Sequence, residues 1–220
     1  MAAAAPPPDD TVPGTRAPLR HVRVALGTAL AYALVGAAAL LLAGPPGYAS
    51  PLFPPAGIAL AVVLRFGRAA VPGVLLGGFA VNAGMGLLRG AGELGHLWLP
   101  LLIAAGATLQ AVVGAALVRR WVAIPLVLNA PRDILRFALL GAIVACCVSP
   151  SVAAPALWAS GVLASEALAS TWLTWWVGDT LGVLIAAPLA LTLIGRPRAD
   201  WRPRRRTLGV PMVLALALLT

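Results

Sequence analysis

The sequence predicts an all-α, polytopic transmembrane helix bundle, and three observations carry that prediction. Hydrophobic residues fill 60% of 220 positions, charged residues only 10%, and the mean hydropathy is +0.93. The apolar residues gather in seven runs, at 22–43, 52–64, 69–88, 97–118, 134–154, 168–194 and 208–220. All sixteen basic residues are arginine, and fifteen of them fall on alternate connections between those runs. A soluble fold of this length needs far more polar surface. Translocated loops resist arginine, so the alternation is a positive-inside pattern that puts the N-terminus in the cytoplasm.

Residues 1–21, rich in Ala and Pro with Asp9 and Asp10, read as a disordered cytoplasmic tail, and 22–220 as the membrane-embedded domain. The first run, 22–43, exceeds the h-region of a secretory signal and is long enough to cross a bilayer, so it reads as a retained anchor helix. Arg16, Arg20 and Arg23 precede it. The second span is irregular. It opens Ser50-Pro51-Leu52-Phe53-Pro54-Pro55-Ala56-Gly57 and stays apolar only to Leu64. Proline disfavours helix at the residue before it, so 50–54 should be extended and the helix should start near Pro55. That leaves about ten helical residues, roughly 15 Å, half a membrane. Two readings follow. One is an ordinary helix with prolines in an exposed first turn; the other is a half-helix whose positive end faces a polar pocket.

The third span carries small residues at four-residue spacing: Gly73 with Gly77, then Gly78, Asn82 and Gly86. Such rows permit close helix approach, so packing is their expected purpose. An amide such as Asn82 in hydrocarbon also needs a partner. In the fourth span Thr108 and Gln110 are expected to form interhelical hydrogen bonds more often than to contact a ligand. Arg119, Arg120, Arg132 and Arg136 separate it from the fifth span, where adjacent Cys146 and Cys147 read as buried thiols.

In the sixth span Trp172, Trp175, Trp176 and Asp179 follow i, i+3, i+4, i+7 spacing and share a face. The tryptophans fit an aromatic belt at the outer interface. Gly178 and Gly182 flank Asp179 in a GxxxG pattern, which predicts tight packing at that turn. Asp179 is the acid well inside a span, where it must be protonated or matched by donors. Pairing with Asn82, or with N–H groups near Pro54, is the expected solution. The seventh run, 208–220, has thirteen residues, about 20 Å of helix, so the expectation is six complete spans plus a truncated seventh of a longer protein.

The net charge of +9 invites a nucleic-acid reading, but arginines set beside spans orient helices and meet anionic headgroups of the bilayer instead. No nucleic acid, metal or cofactor is expected. No Ser/His/Asp or Cys/His arrangement, phosphate-binding glycine loop, HExxH or paired intramembrane carboxylate occurs, so the segment is not expected to be an enzyme.

The ordered set LFPPAGIALAVVLRFGRAAVPGVLLGGFAVN (52–82), TLQAVVGAALVRR (108–120), RDILRF (132–137) and TWWVGDTLGVLIAAPL (174–189) resembles the first class of MASE domains, bacterial membrane-associated sensors. The resemblance covers about 50–194. It implies about eight membrane helices ahead of a cytoplasmic output module, a histidine kinase or diguanylate cyclase, in the bacterial inner membrane. It draws attention to Pro54, Pro55, Gly57, Asn82, Trp176, Gly178 and Asp179. Phe53 departs from the pattern, where tryptophan is common, as does Ala107, where asparagine is common. The stimulus is expected to be an unidentified small molecule or membrane protein, and Asp179, Asn82, Gln110, Trp172, Trp175, Trp176, Pro54, Pro55 and Gly57 are the candidate sensing residues. A homodimer is expected because many such output enzymes act as dimers. The alternative function is a small-solute transporter with Asp179 as its proton or substrate site. A third reading is an anchor that only localises an output enzyme.

Overall fold

A computed structural model describes residues 16–41, 49–88, 97–122 and 130–195. Seven α-helices follow in order: α1 (Arg16–Leu41), α2 (Pro54–Phe66), α3 (Val71–Leu88), α4 (Trp98–Trp121), α5 (Pro131–Arg136), α6 (Val148–Ala159) and α7 (Leu168–Ile194). No strand occurs among the described residues. Helix α1 starts at Arg16, so residues 16–21 belong to it rather than to the tail expected there. Residues 1–15 and the truncated span at 208–220 lie outside the described residues.

Among the described residues five stretches are long and apolar enough to cross a membrane: Pro18–Leu41, Val71–Leu88, Trp98–Trp121, Pro131–Ala159 and Ser165–Ile194. Six complete spans were expected in this region, and the exception is the second. Helix α2 has 13 residues, about 20 Å at 1.5 Å per residue against roughly 30 Å of hydrocarbon. Nine of its residues are buried, Pro54 and Pro55 among them. That excludes prolines in an exposed first turn. Helix α2 runs through the middle of the bundle, packed most extensively on α7 and also on α1 and α4. Its small side chains (Ala56, Gly57, Ala59, Ala61) let three neighbours approach it at once. Gly67, at φ 62°, ends the helix in the left-handed region and permits the tight turn into α3.

The fifth expected span, Pro131–Ala159, is one irregular helix. After α5 it passes through a π-helical stretch at Phe137–Val144 and a 3-10 turn at Ala145–Cys147 before α6 begins. Such register changes release backbone groups for partners elsewhere.

Small residues set the helix pairs. A methyl added at Gly77 would lie 2.8 Å from both the Ala29 oxygen and Tyr32 Cβ of α1, and Gly73 meets Ala25 and Thr28 as closely. Gly78 faces Ala104 of α4. Gly86 breaks the expected row, because nothing lies within 4 Å of a Cβ built there among the described residues. Gly106 and Gly114, unmarked by any motif, carry contacts of α4 with Val152 and Ala145.

One end of the bundle gathers arginines over helix C-termini. Arg119 Nη2 donates to the Val63 and Leu64 carbonyls that close α2. Arg65 Nε donates to Ile194 O at the end of α7, 3.2 Å away, and Arg136 Nη1 to Trp121 O at the end of α4, 3.0 Å away. Each guanidinium meets orphan carbonyls and the negative end of a helix dipole.

Candidate functional site

The site is built where the chain ahead of α2 meets α7. Gly178 and Gly182 leave no side chain on that face of α7, and a methyl on either would collide with the Ser50 or Phe53 carbonyl. The non-helical backbone at 50–53 therefore lies directly against α7, and Phe53 N–H donates to Gly178 O at 3.0 Å. Irregular backbone is tolerated in a bilayer only when protein surrounds it, and α7 supplies that surrounding here.

Between those glycines Asp179 points inward and is 2% exposed. Its Oδ2 accepts a hydrogen bond from Gln110 Nε2 of α4 at 2.9 Å. Gln110 Oε1 in turn accepts from Ser149 N–H at 3.1 Å. Ser149 sits in the first turn of α6, just past the 3-10 turn, where an N–H is open to an outside acceptor. One glutamine thus ties α4, α6 and α7 together.

Beside this chain of bonds lies a cavity of about 20 Å³. Asp179 and Ser149 both line it, and Asp179 Oδ1 and Ser149 Oγ are buried oxygens without a hydrogen-bond partner. A polar void of that size has room for about one water. Tyr32 of α1, Ser50, Phe53, Asn82 of α3 and Trp175 of α7 are also among the lining residues, and α2 and α4 add small or apolar side chains such as Ala56 and Ile103. None of the lining residues is basic. The carboxyl has two ways to exist in this setting. Neutral, it presents an O–H donor; ionised, it has Gln110 and whatever fills the cavity to offset its charge. The arrangement can therefore hold or release one proton, or take up one small polar group.

Asp179, Asn82, Gln110 and Trp175 converge on the cavity as lining residues. The expected pairing of Asp179 with Asn82 does not form, because Asn82 Nδ2 donates to Gly78 O on its own helix at 2.8 Å. Gln110 makes the interhelical hydrogen bond expected of it, as donor to Asp179. Thr108 bonds Ala104 O one turn back and joins nothing. Pro54 and Pro55 open α2 beside the site, and Gly57 packs one turn deeper against Gly182, Ala186 and Ala187.

The three tryptophans divide. Trp175 is buried with Leu99, Ile103 and Leu157. Trp172 and Trp176 stack at 6.3 Å and donate to Ser151 Oγ and Ile143 O of the fifth span. Ile143 lies in the π-helical stretch, so Trp176 uses a carbonyl at the register change. These two tryptophans join helices rather than lining the polar centre.

Tyr32, Ser50 and Ser149 were missed. Tyr32 had a signal: it is one of two tyrosines in the chain and sits mid-helix in an apolar run. It is 2% exposed and meets the Phe53 ring edge-on at 6.1 Å. Ser149 had none, since a serine beside proline in an apolar run looks like any small buried residue.

These features define a multi-pass helical membrane domain with a closed polar centre built around a broken helix. The chain belongs to the MASE1 family, whose profile matches residues 22–220. Neither a curated protein nor a solved structure matches it.

Proposed function

We propose that this domain is the sensory part of a bacterial signal-transduction protein of the inner membrane, with its N-terminus in the cytoplasm. It relays a stimulus to a cytoplasmic output module of the histidine kinase or diguanylate cyclase type. The observation that carries the reading is the hydrogen-bond chain Asp179–Gln110–Ser149 beside two unpartnered oxygens. It spans three helices, and its occupancy has an energetic consequence for how they pack. A proton, water or small polar ligand that satisfies Asp179 Oδ1 in one packing and not another shifts the balance between them. A coupling of about 1–3 kcal/mol changes an output equilibrium by roughly 5–150-fold. Helix α7 carries the shift from Asp179 to Ile194, about 22 Å along its axis.

The test uses the complete gene product in cells, reading phosphotransfer or cyclic dinucleotide level against protein abundance. Asp179→Asn, which keeps the shape and removes the charge, is expected to change output at least about fivefold at unchanged abundance. Gly86→Ala, remote from the site, is expected to leave it unchanged. Unaltered output in both Asp179→Asn and Gln110→Leu would reduce the domain to an anchor. A gene that continues into further spans and a short tail would favour transport, for which the broken α2 and the intramembrane acid also have precedent. The cavity beside Asp179 has room for about one water, so a larger solute would need the helices to part.

A further inference from the structure

A much larger concavity, of about 890 Å³, opens on the side of the bundle between α1 and α7, with α2 as its floor. It runs along α1 from Leu19 to Val35, about 24 Å of helix. Ile58 and Val62 of α2 form the floor and Leu193 part of the far wall. Its charged lining is confined to one end, where Arg20 and Arg23 are exposed at the mouth. No acid lines it.

We propose that this groove binds an anionic phospholipid from the leaflet that the arginine end faces, with the phosphate on Arg20 and Arg23 and an acyl chain along α2. Length, apolar lining and charge at one end match a molecule that is itself a long apolar chain with an anionic head. The proposal rests on the membrane reading and is independent of the sensory one.

The full chain, purified in mild detergent, would be exposed to phosphatidylglycerol or phosphatidylcholine and its bound lipid weighed by native mass spectrometry. Phosphatidylglycerol should be retained preferentially. Arg20→Gln with Arg23→Gln should weaken that retention roughly 30-fold, while Arg132→Gln, an exposed arginine outside the groove, should not. No described residue lies within 4 Å of a Cβ built on Gly27, so Gly27→Leu fills the groove without a clash against them and should expel both lipids. Equal loss with Arg132→Gln would overturn the proposal, as would full retention by Gly27→Leu. Cross-linking of Gly27→Cys to a second copy, or to a later segment of the chain, would show a protein occupant and also overturn it.

Discussion

At the scale of single residues, the glycines show how the same sequence signal leads to opposite energetic outcomes. Gly178 and Gly86 both sit in rows of small residues at four-residue spacing, yet a methyl at Gly178 strikes the Ser50 carbonyl and one at Gly86 meets nothing among the described residues. Gly178→Ala is expected to cost roughly 1–3 kcal/mol because the backbone against it must move. Gly86→Ala should stabilise by about 0.5–1 kcal/mol through the lost flexibility of the unfolded chain. Thermal or denaturant unfolding of the two variants in detergent would check the difference in sign. Gln110 is the second residue to test. Gln110→Leu leaves Asp179 Oδ2 and Ser149 N–H without their partner and should cost about 1–3 kcal/mol. Adding Asp179→Leu to it should recover part of that loss, since two apolar groups leave one fewer orphan. Additive losses in the double mutant would mean that the bond contributes nothing.

At the scale of elements, α2 and the fifth span carry the departures from regular helix, and both serve the site. Shortening α2 brings its first turn and the extended 50–53 segment to the level of Asp179. The sequence announced this through Pro51, Pro54 and Pro55, because proline acts on its own backbone and needs no partner to be recognised. The π-helical stretch at Phe137–Val144 had no such marker. Its register depends on what Trp176 and Val118 press against it from other helices, which the local sequence does not encode. Trp176→Phe keeps the stacked ring and removes the N–H that Ile143 O accepts. The expected loss is about 1 kcal/mol, with faster amide hydrogen exchange across 141–149 as the local readout. Unchanged exchange there would detach the tryptophan from the register change.

At the scale of the whole molecule, arginines at one end of the bundle act as helix caps. Arg119 reaches from α4 to the carbonyls ending α2, and such a cation at a helix C-terminus contributes about 0.3–1 kcal/mol at an exposed position. Arg119→Gln is therefore expected to lower thermal stability more than Arg120→Gln, whose guanidinium lies 5.7 Å over the neighbouring Trp121 ring. Reporter fusions test the orientation. Insertions in 123–129 and 196–206 should report the cytoplasm, and insertions in 42–48 and 89–96 the opposite side. Any reversal among the four would contradict the positive-inside reading.

By itself the sequence determined the helical membrane class, the position of each long span, the break ahead of α2 and the isolation of Asp179. Each depends on a property that acts within one segment: hydropathy, charge or the missing proline N–H. Only the tertiary structure decided that Asp179 bonds Gln110 rather than Asn82, that Trp175 turns inward while Trp172 and Trp176 join helices, and that Tyr32, Ser50 and Ser149 share the cavity. Those outcomes depend on how far each helix is rotated and slid against its neighbours. Asn82 illustrates the reason: its amide is satisfied by the Gly78 carbonyl one turn away in the same helix. An intramembrane polar group takes whichever partner is within hydrogen-bond reach, and reach across helices is set by packing.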